Sequence, residues 1–374
     1  MSAHAGRLQL TGWRGFLLLL MTGGAAAAFL AGRSSFVGTT GLSDTLPWGL
    51  CLGLNVFCGI GLAAGSLTIA STACVVGGQE WRVVKRASLL AGSLSYLIAI
   101  CGSIANQSAD TRWRVLLGGW TSRSMLSGAA WTLLLLGALL LVEFLPQHSQ
   151  RIARTAWFAV LSRLDLPLLL LAASMAIVHQ FGLNRLIRLS GTRFSPLWTG
   201  PSVAALFYLS SMMLGLAVLL FASWRSRLAF DRALPSAVQP ALARPLTIAV
   251  FVYLLFRLLD LAERGLLWSI FHTTREGLLI LLELVLLLAG MVWVNESKNE
   301  SRELFVGSAL IIAGVIANRL NTAITALEAG TGQTYLPRWG EFLISYSLIA
   351  AGVAGFALGV KHGSVFADVE APSE

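Results

Sequence analysis

Apolar residues run along this chain in long stretches, and the breaks between them are short. Runs at 13–32, 47–77, 87–106, 124–145, 161–182, 197–223, 246–262, 276–295, 304–325 and 339–360 are each long enough to cross a bilayer as a helix. Ten such helices with tight loops leave no soluble domain of useful size. The first run lacks a small-residue cleavage site, so it reads as a retained helix rather than a signal peptide. The segment DTLPWGLCLGLNVFCGIGLAAG (44–65) carries the pattern most clearly. Pro47 suits a first helical turn, where its missing N–H is no loss. Trp48 suits headgroup depth, and the apolar run then continues to Val76 with Asn55 as its strongly polar side chain.

Composition agrees with this pattern: of 374 residues, 56% are hydrophobic and 12% charged, as in an integral membrane protein. A net charge of +9 would suggest nucleic acid, but its placement excludes that reading. With a cytoplasmic N-terminus, 15 of the 27 Lys and Arg residues fall on the cytoplasmic side and 10 on the other. The positive-inside rule therefore puts both termini in the cytoplasm. Arg112, Arg114, Arg123, Arg185, Arg188 and Arg193 fall in two outer loops. They are either solvated loop charge or a docking surface for a more acidic extracytoplasmic partner.

Cys51, Cys58, Cys74 and Cys101 lie in the runs 47–77 and 87–106 without C-x-x-C spacing, and read as small buried hydrophobes. Of the five histidines, His4 and His362 are in tails, His148 and His272 in or near loops, and His179 inside a helix end. A membrane haem held by two imidazoles needs both at one depth on facing helices. His179 with His272 is the conceivable pair, and His272 falls outside its run, so no haem and no metal are expected in this chain.

The remaining polar residues gather at the outer ends of the runs. Asn55, His179 and Gln180 occupy the first half; Arg257, Asp260, Glu283, Asn318, Arg319, Asn321 and Glu341 occupy the second. An intramembrane charge costs on the order of 3 kcal/mol or more, so these groups must pair or line a wet cavity. Arg257 and Asp260, at i and i+3, are expected to pair and, with Arg319, to fasten the later helices together. For Glu283 a protonatable role and a structural one stand level. Glu143, at the opposite end of its run, is either a proton access point or an interfacial carboxylate near Arg151 and Arg154. Gly49, Gly53, Gly59, Gly61 and Gly65 read first as helix-packing residues.

A set of segments follows in order: LPWGLCLGLNVFCGIGLAAGSLTIA (46–70), VEFLP (142–146), VHQ (178–180), SPLW (195–198), FRLLDL (256–261), LLELVLLL (281–288), ESRELFVGSALIIAGVIANRLN (300–321) and YLPRWGEFLISYSLIAAG (335–352). Together they resemble the polysulfide reductase (NrfD/PsrC-like) membrane-subunit family. The likeness is strongest to its ten-helix "cytochrome b" subunits of periplasmic nickel–iron hydrogenases (HybB-type). The resemblance implies an all-α polytopic membrane protein of about ten transmembrane helices, as two four-helix bundles plus flanking first and last helices. The divisions would be an N-terminal helix and loop over 1–46, a first bundle over 47–182, a second over 183–325, and a last helix and tail over 326–374. It further implies no haem, despite the cytochrome label. The activity implied is electron exchange between menaquinone or ubiquinone and an extracytoplasmic iron–sulfur subunit, in a bacterial inner membrane. Pro47, Trp48, Asn55, His179 and Gln180 would line the quinone pocket. Glu143, Asp260, Glu283 and Glu341 would move protons, while Arg257, Asn318, Arg319 and Asn321 would form a structural polar cluster.

The chain also departs from that family. Relatives often carry aspartate at the position of Asn55, and an N-x-x-S-x-L-F-E stretch that is here TSRSMLSG (121–128), with Gly128 in place of the glutamate. Their D-x-G-R loop is here ADTRW (109–113). Both lost carboxylates belong to the first bundle. The expectation is a cofactor-free subunit without turnover of its own, in contact with membrane lipid, an iron–sulfur subunit and, through it, a hydrogenase or another redox enzyme. The alternative is a membrane anchor with a degenerate quinone site. A secondary transporter fits less well, because the polar residues lie toward one face and prolines sit mainly at helix starts.

Overall fold

The computed structural model describes residues 40–43, 46–105, 154–189, 194–272, 274–297, 302–363 and 365–368, with scattered helical residues in 15–26 and 135–142. Eight described helices are long and apolar enough to cross a membrane. They are α1 (Leu52–Val76), α2 (Gln79–Ala105), α3 (Asp165–Leu189), α4 (Val203–Phe230), α5 (Gln239–Glu263), α6 (Arg275–Glu296), α7 (Arg302–Thr331) and α8 (Trp339–His362). Expected runs 13–32 and 124–145 fall largely outside the described residues. Helix α2 starts eight residues before the apolar run at 87, because QEWRVVKR continues the helix with Val84 and Lys85 turned inward.

Helix α1 is central. It packs on α2 and α3 on one side and on α4 on the other. Helix α4 in turn meets α5 and α7, α5 meets α6, α6 meets α7, and α8 leans on α2. The α1–α4 seam is close because both faces are small. A Cβ on Gly65 would lie 1.9 Å from the Ser211 carbonyl oxygen, and one on Gly215 would lie 2.8 Å from the Gly65 backbone. Such close approach is how small residues join helices where lipid removes the hydrophobic drive. Outward faces are apolar, as at Phe251, Leu255, Leu282 and Val285, which are 48–56% exposed. Intrahelical bonding satisfies the backbone of these lipid-facing stretches.

The only strands among the described residues are β1 (Arg232–Ala233) and β2 (Ala367–Asp368), paired antiparallel. Arg232 Nη1 donates to the carbonyls of Val360 and Lys361 at 2.7 and 3.0 Å, satisfying acceptors left open at the end of α8.

One end of the molecule, the near end, collects the starts of α1, α4, α6 and α8 and the ends of α2, α3, α5 and α7. Long-range bonds fix this alignment. Ser195 N donates to Ala326 O at 2.7 Å, Arg275 pairs with Glu328 at 3.1 Å, and Leu50 N donates to the Tyr335 hydroxyl at 2.8 Å. That last bond corrects the expected start of the second run. Helical backbone begins at Leu50, two residues before the π turn that opens α1, and Pro47 lies before it, exposed and outside the first turn. The Tyr335 ring fills the space beside Gly49, where a Cβ would lie 2.4 Å from its hydroxyl, so the chain turns into the helix only after that contact.

Candidate functional site

The buried polar side chains crowd toward the near end, in two neighbourhoods. In the first, on α1 to α3, Asn55 is fully buried within a π-helical turn over Leu52–Phe57. An inserted π turn re-aims side chains and often marks a functional position. The Asn55 amide nitrogen donates to Cys51 Sγ at 3.4 Å, and its Oδ1 has no partner. Gly102 on α2 faces it, where a Cβ would lie 2.7 Å from that of Asn55.

Deeper in the same neighbourhood, His179 Nδ1 on α3 lies 3.0 Å from the Tyr96 hydroxyl on α2. Both are buried, at 8% and 2% exposure. Gln180 is fully buried with neither amide atom bonded. A buried, unpaired carboxamide costs roughly 1–3 kcal/mol, which a protein rarely leaves unspent without a partner to come. Trp48 faces elsewhere. Its ring packs against Phe57 at 5.6 Å and Phe194 at 4.8 Å, toward α4 rather than toward His179. Of the five residues expected to line one pocket, Asn55 and His179 each face α2, at Gly102 and at Tyr96, and Gln180 is buried next to His179 on α3. Trp48 and Pro47 lie over the seam with α4 and at the surface.

The second neighbourhood, on α5 to α7, is charged. Glu283 Oε1 accepts from the Tyr253 hydroxyl at 2.9 Å and from Asn318 Nδ2 at 3.0 Å, while Oε2 has no partner. Arg257 donates to Leu197 O at 2.9 Å. The expected Arg257–Asp260 pair does not form: the Asp260 carboxylate is held by Arg264, one turn further on, which also bonds the Pro196 and Thr199 carbonyls. The i, i+4 spacing gives Arg264 the better reach. Arg319, fully buried, crosses to α4 and donates through Nη2 to Phe207 O at 2.8 Å and to Ser210 Oγ at 2.8 Å. Its guanidinium carbon sits 3.9 Å from the Phe207 ring centroid, a cation–π contact. Asn321 opens a second π turn, Asn321–Thr325, and donates to Leu279 O at 3.3 Å. The two π turns pack on each other.

Glu341 belongs to neither interior. It accepts from the Gly41 amide and from the Tyr335 hydroxyl, fastening the segment before α1 to the start of α8. The Tyr335 hydroxyl is pushed well up by burial and by that carboxylate, so it stays protonated. Glu143 and Gly128 lie outside the described residues, as do Arg112, Arg114, Arg123 and Arg193 and the side chains of Arg185 and Arg188.

Sequence reasoning missed Tyr96, Tyr253 and Tyr335, each of which bonds a polar residue it had singled out. The signal was present: the chain has five tyrosines, and a hydroxyl within or beside an apolar run needs a partner. It also missed the ion pair of Lys85 with Asp165 toward the opposite end, 8% and 15% exposed.

Fold and site thus define a polytopic helical membrane protein with a buried polar interior gathered at one end. In comparison with known proteins, the chain is 22% identical over 329 residues, covering 86% of itself and 83% of the relative, to the "Probable Ni/Fe-hydrogenase 2 b-type cytochrome subunit" of Escherichia coli (strain K12). It is 20% identical over 322 residues, 83% of each chain, to a protein of Nitratidesulfovibrio vulgaris (strain Hildenborough). No family model matches. The chain is a distant homologue of the hydrogenase 2 membrane subunit, as the resemblance in its sequence implied.

The name of the Escherichia coli relative raises the question of a b-type haem. In this chain His179 Nδ1 is engaged by Tyr96, and His272 is exposed in the loop before α6. His362 ends α8 away from the near end. The described residues therefore do not supply two facing imidazoles, and a bis-histidine haem does not fit them. Among the described residues no three His, Cys, Asp or Glu side chains gather as a metal site.

Proposed function

We propose that this chain is the quinone-interacting membrane subunit of a respiratory oxidoreductase. It would exchange electrons between menaquinone or ubiquinone and an iron–sulfur subunit docked on the near end, which would face the extracytoplasmic side. The partner enzyme would be hydrogenase-like, in keeping with the relative's name. The observation that carries this reading is the set of neutral, buried, unbonded groups on α1 and α3, Asn55 Oδ1 and both amide atoms of Gln180, together with the Tyr96–His179 pair that joins α2 to α3. A quinone is a neutral ring with two carbonyls, and such a ligand calls for a few convergent polar groups in an apolar pocket.

The geometry supports the following roles. Oxidation of a quinol releases two electrons and two protons; the electrons pass to the partner and the protons to nearby bases. Tyr96 fixes the His179 ring through Nδ1, leaving Nε2 to take a proton or bond a carbonyl. Gln180 can donate to one carbonyl oxygen and accept from a hydroxyl. The two-bundle arrangement is part of the same proposal, supported by the ring of contacts α4–α5–α6–α7–α4. Asp260 and Glu341 serve structure in this reading, since both carboxylates are already engaged, and Glu283 remains the candidate proton carrier of the second half.

The test uses the intact complex. His179→Ala should lower quinol-linked turnover at least about tenfold while hydrogenase-side dye reduction stays unchanged. Equal quinol turnover in the variant would refute the site. A wild-type complex without any quinone-linked activity would favour the anchor reading instead.

A further inference from the structure

Two π turns stand side by side at the near end. The first, Leu52–Phe57, opens α1 and carries Asn55; the second, Asn321–Thr325, interrupts α7. Such turns are rare, because their hydrogen bonds are poorer than those of an α-helix, and they cluster at functional positions. Two of them in contact call for a shared reason.

Their contact is direct. Gly53 lies against α7, where a Cβ would sit 3.0 Å from Leu320 Cδ2 and 3.2 Å from Ala323 Cβ. Next to the turns, the short end pieces of both helices are tied to one residue. The Tyr335 hydroxyl accepts from Leu50 N at 2.8 Å, and Tyr335 N donates to Glu328 Oε1 at 2.7 Å. A change of winding in one turn therefore meets the other turn and a common tether. In α1 an alternative winding is within reach, because the Cys58 amide is shared between Gly53 O, five residues back, and Asn55 O, three back.

Each turn also reaches one of the polar neighbourhoods. Asn55 belongs to the first. In the second, Asn321 donates to Leu279 O at 3.3 Å, Thr322 Oγ1 donates to Asn318 O at 2.9 Å, and Asn318 Nδ2 donates to Glu283 Oε1 at 3.0 Å.

We propose that the paired π turns are a conformational switch that carries occupancy of the α1–α3 site to the Glu283 network. The switch rests on the quinone reading above: a quinone held at the Asn55 turn favours one winding of it, and the Gly53–Ala323 contact passes that preference to Asn321 and Asn318. A ligand shifts such an element only by binding its two states unequally, so the α7 turn must respond to a ligand it does not touch.

The experiment is amide hydrogen exchange on the intact complex, with and without menadione as the quinone probe. Exchange should slow together over 50–58 and 320–327, at least about threefold in each. His179→Ala lies on α3, which packs on α1 and α4, and should abolish both responses. Ala323→Gly, which removes the methyl facing Gly53, should keep the response over 50–58 and lose that over 320–327; if it fails to assemble, the wild type and His179→Ala decide. A wild-type response confined to 50–58, or none in a complex that turns over quinol, would overturn the switch alone. So would a response over 320–327 that survives in His179→Ala or stays whole in Ala323→Gly. A wild-type complex without quinone-linked turnover would refute the quinone reading and the switch with it.

Discussion

The two polar neighbourhoods are built on opposite plans. Between α1 and α3 the buried groups are neutral and partly unbonded: the Asn55 oxygen, the Gln180 amide and a histidine held by one tyrosine. Between α5 and α7 they are charged and mostly engaged, with Tyr253 and Asn318 converging on one oxygen of Glu283. A neutral open site can exchange a neutral ligand without moving charge through low dielectric. A charged network must be balanced at all times, so it suits fastening and proton holding better than ligand exchange. The halves meet where small residues allow it, at Gly65 against Ser211 and Gly215.

The sharpest way to break this contrast is to remove the charge balance. Glu283→Leu strands two arginines and two hydrogen-bond donors, and should cost about 3–5 kcal/mol, seen as loss of folded complex in detergent. Retention of a normal unfolding temperature would mean the network is not balanced through Glu283. Next in size is the seam itself: Gly65→Ala places a methyl on the Ser211 carbonyl and should destabilise by about 2 kcal/mol, measured by thermal unfolding.

In the neutral half the expected effect is on function rather than folding. Tyr96→Phe removes the bond to His179, worth about 1 kcal/mol, and should reduce quinol turnover roughly fivefold. Combined with His179→Ala it should add nothing further, as expected of a tyrosine that acts through the histidine. Additive losses would separate the two residues.

The smallest effect concerns the clamp at Glu341. Because burial and that carboxylate raise the Tyr335 hydroxyl, the folded state binds its proton more tightly than the unfolded chain does. The stabilisation is complete below the ordinary tyrosine range, near pH 10, and is lost as pH rises above it. Alkaline unfolding should therefore be less steep in Tyr335→Phe than in the wild type, and equal steepness would free Tyr335 from the clamp.

Much of this was legible along the chain because membrane helices announce themselves by length and hydropathy. Eight of the ten expected runs reappear as helices within the described residues, and the crowding of Asn55, His179, Glu283 and Arg319 toward one end followed from where each sits in its run. Partners were harder to read. Arg257 and Asp260 looked like a pair at i, i+3, yet Arg264 takes the carboxylate and Arg257 turns to the Leu197 carbonyl. Pro47 looked like a first-turn residue, yet Tyr335, nearly 290 positions away, sets the helix start.

The sequence by itself therefore determined a membrane protein, the number of its described helices, and the end at which most of its strongly polar groups lie, because bilayer thickness and charge cost act on each segment separately. Only the tertiary structure decided which polar groups bond, which stay open and which face the seam. Those outcomes depend on helix rotation and on contacts such as Tyr96 with His179 and Arg319 with the Phe207 carbonyl. In an apolar run every face looks alike, so no periodicity records which one turns inward.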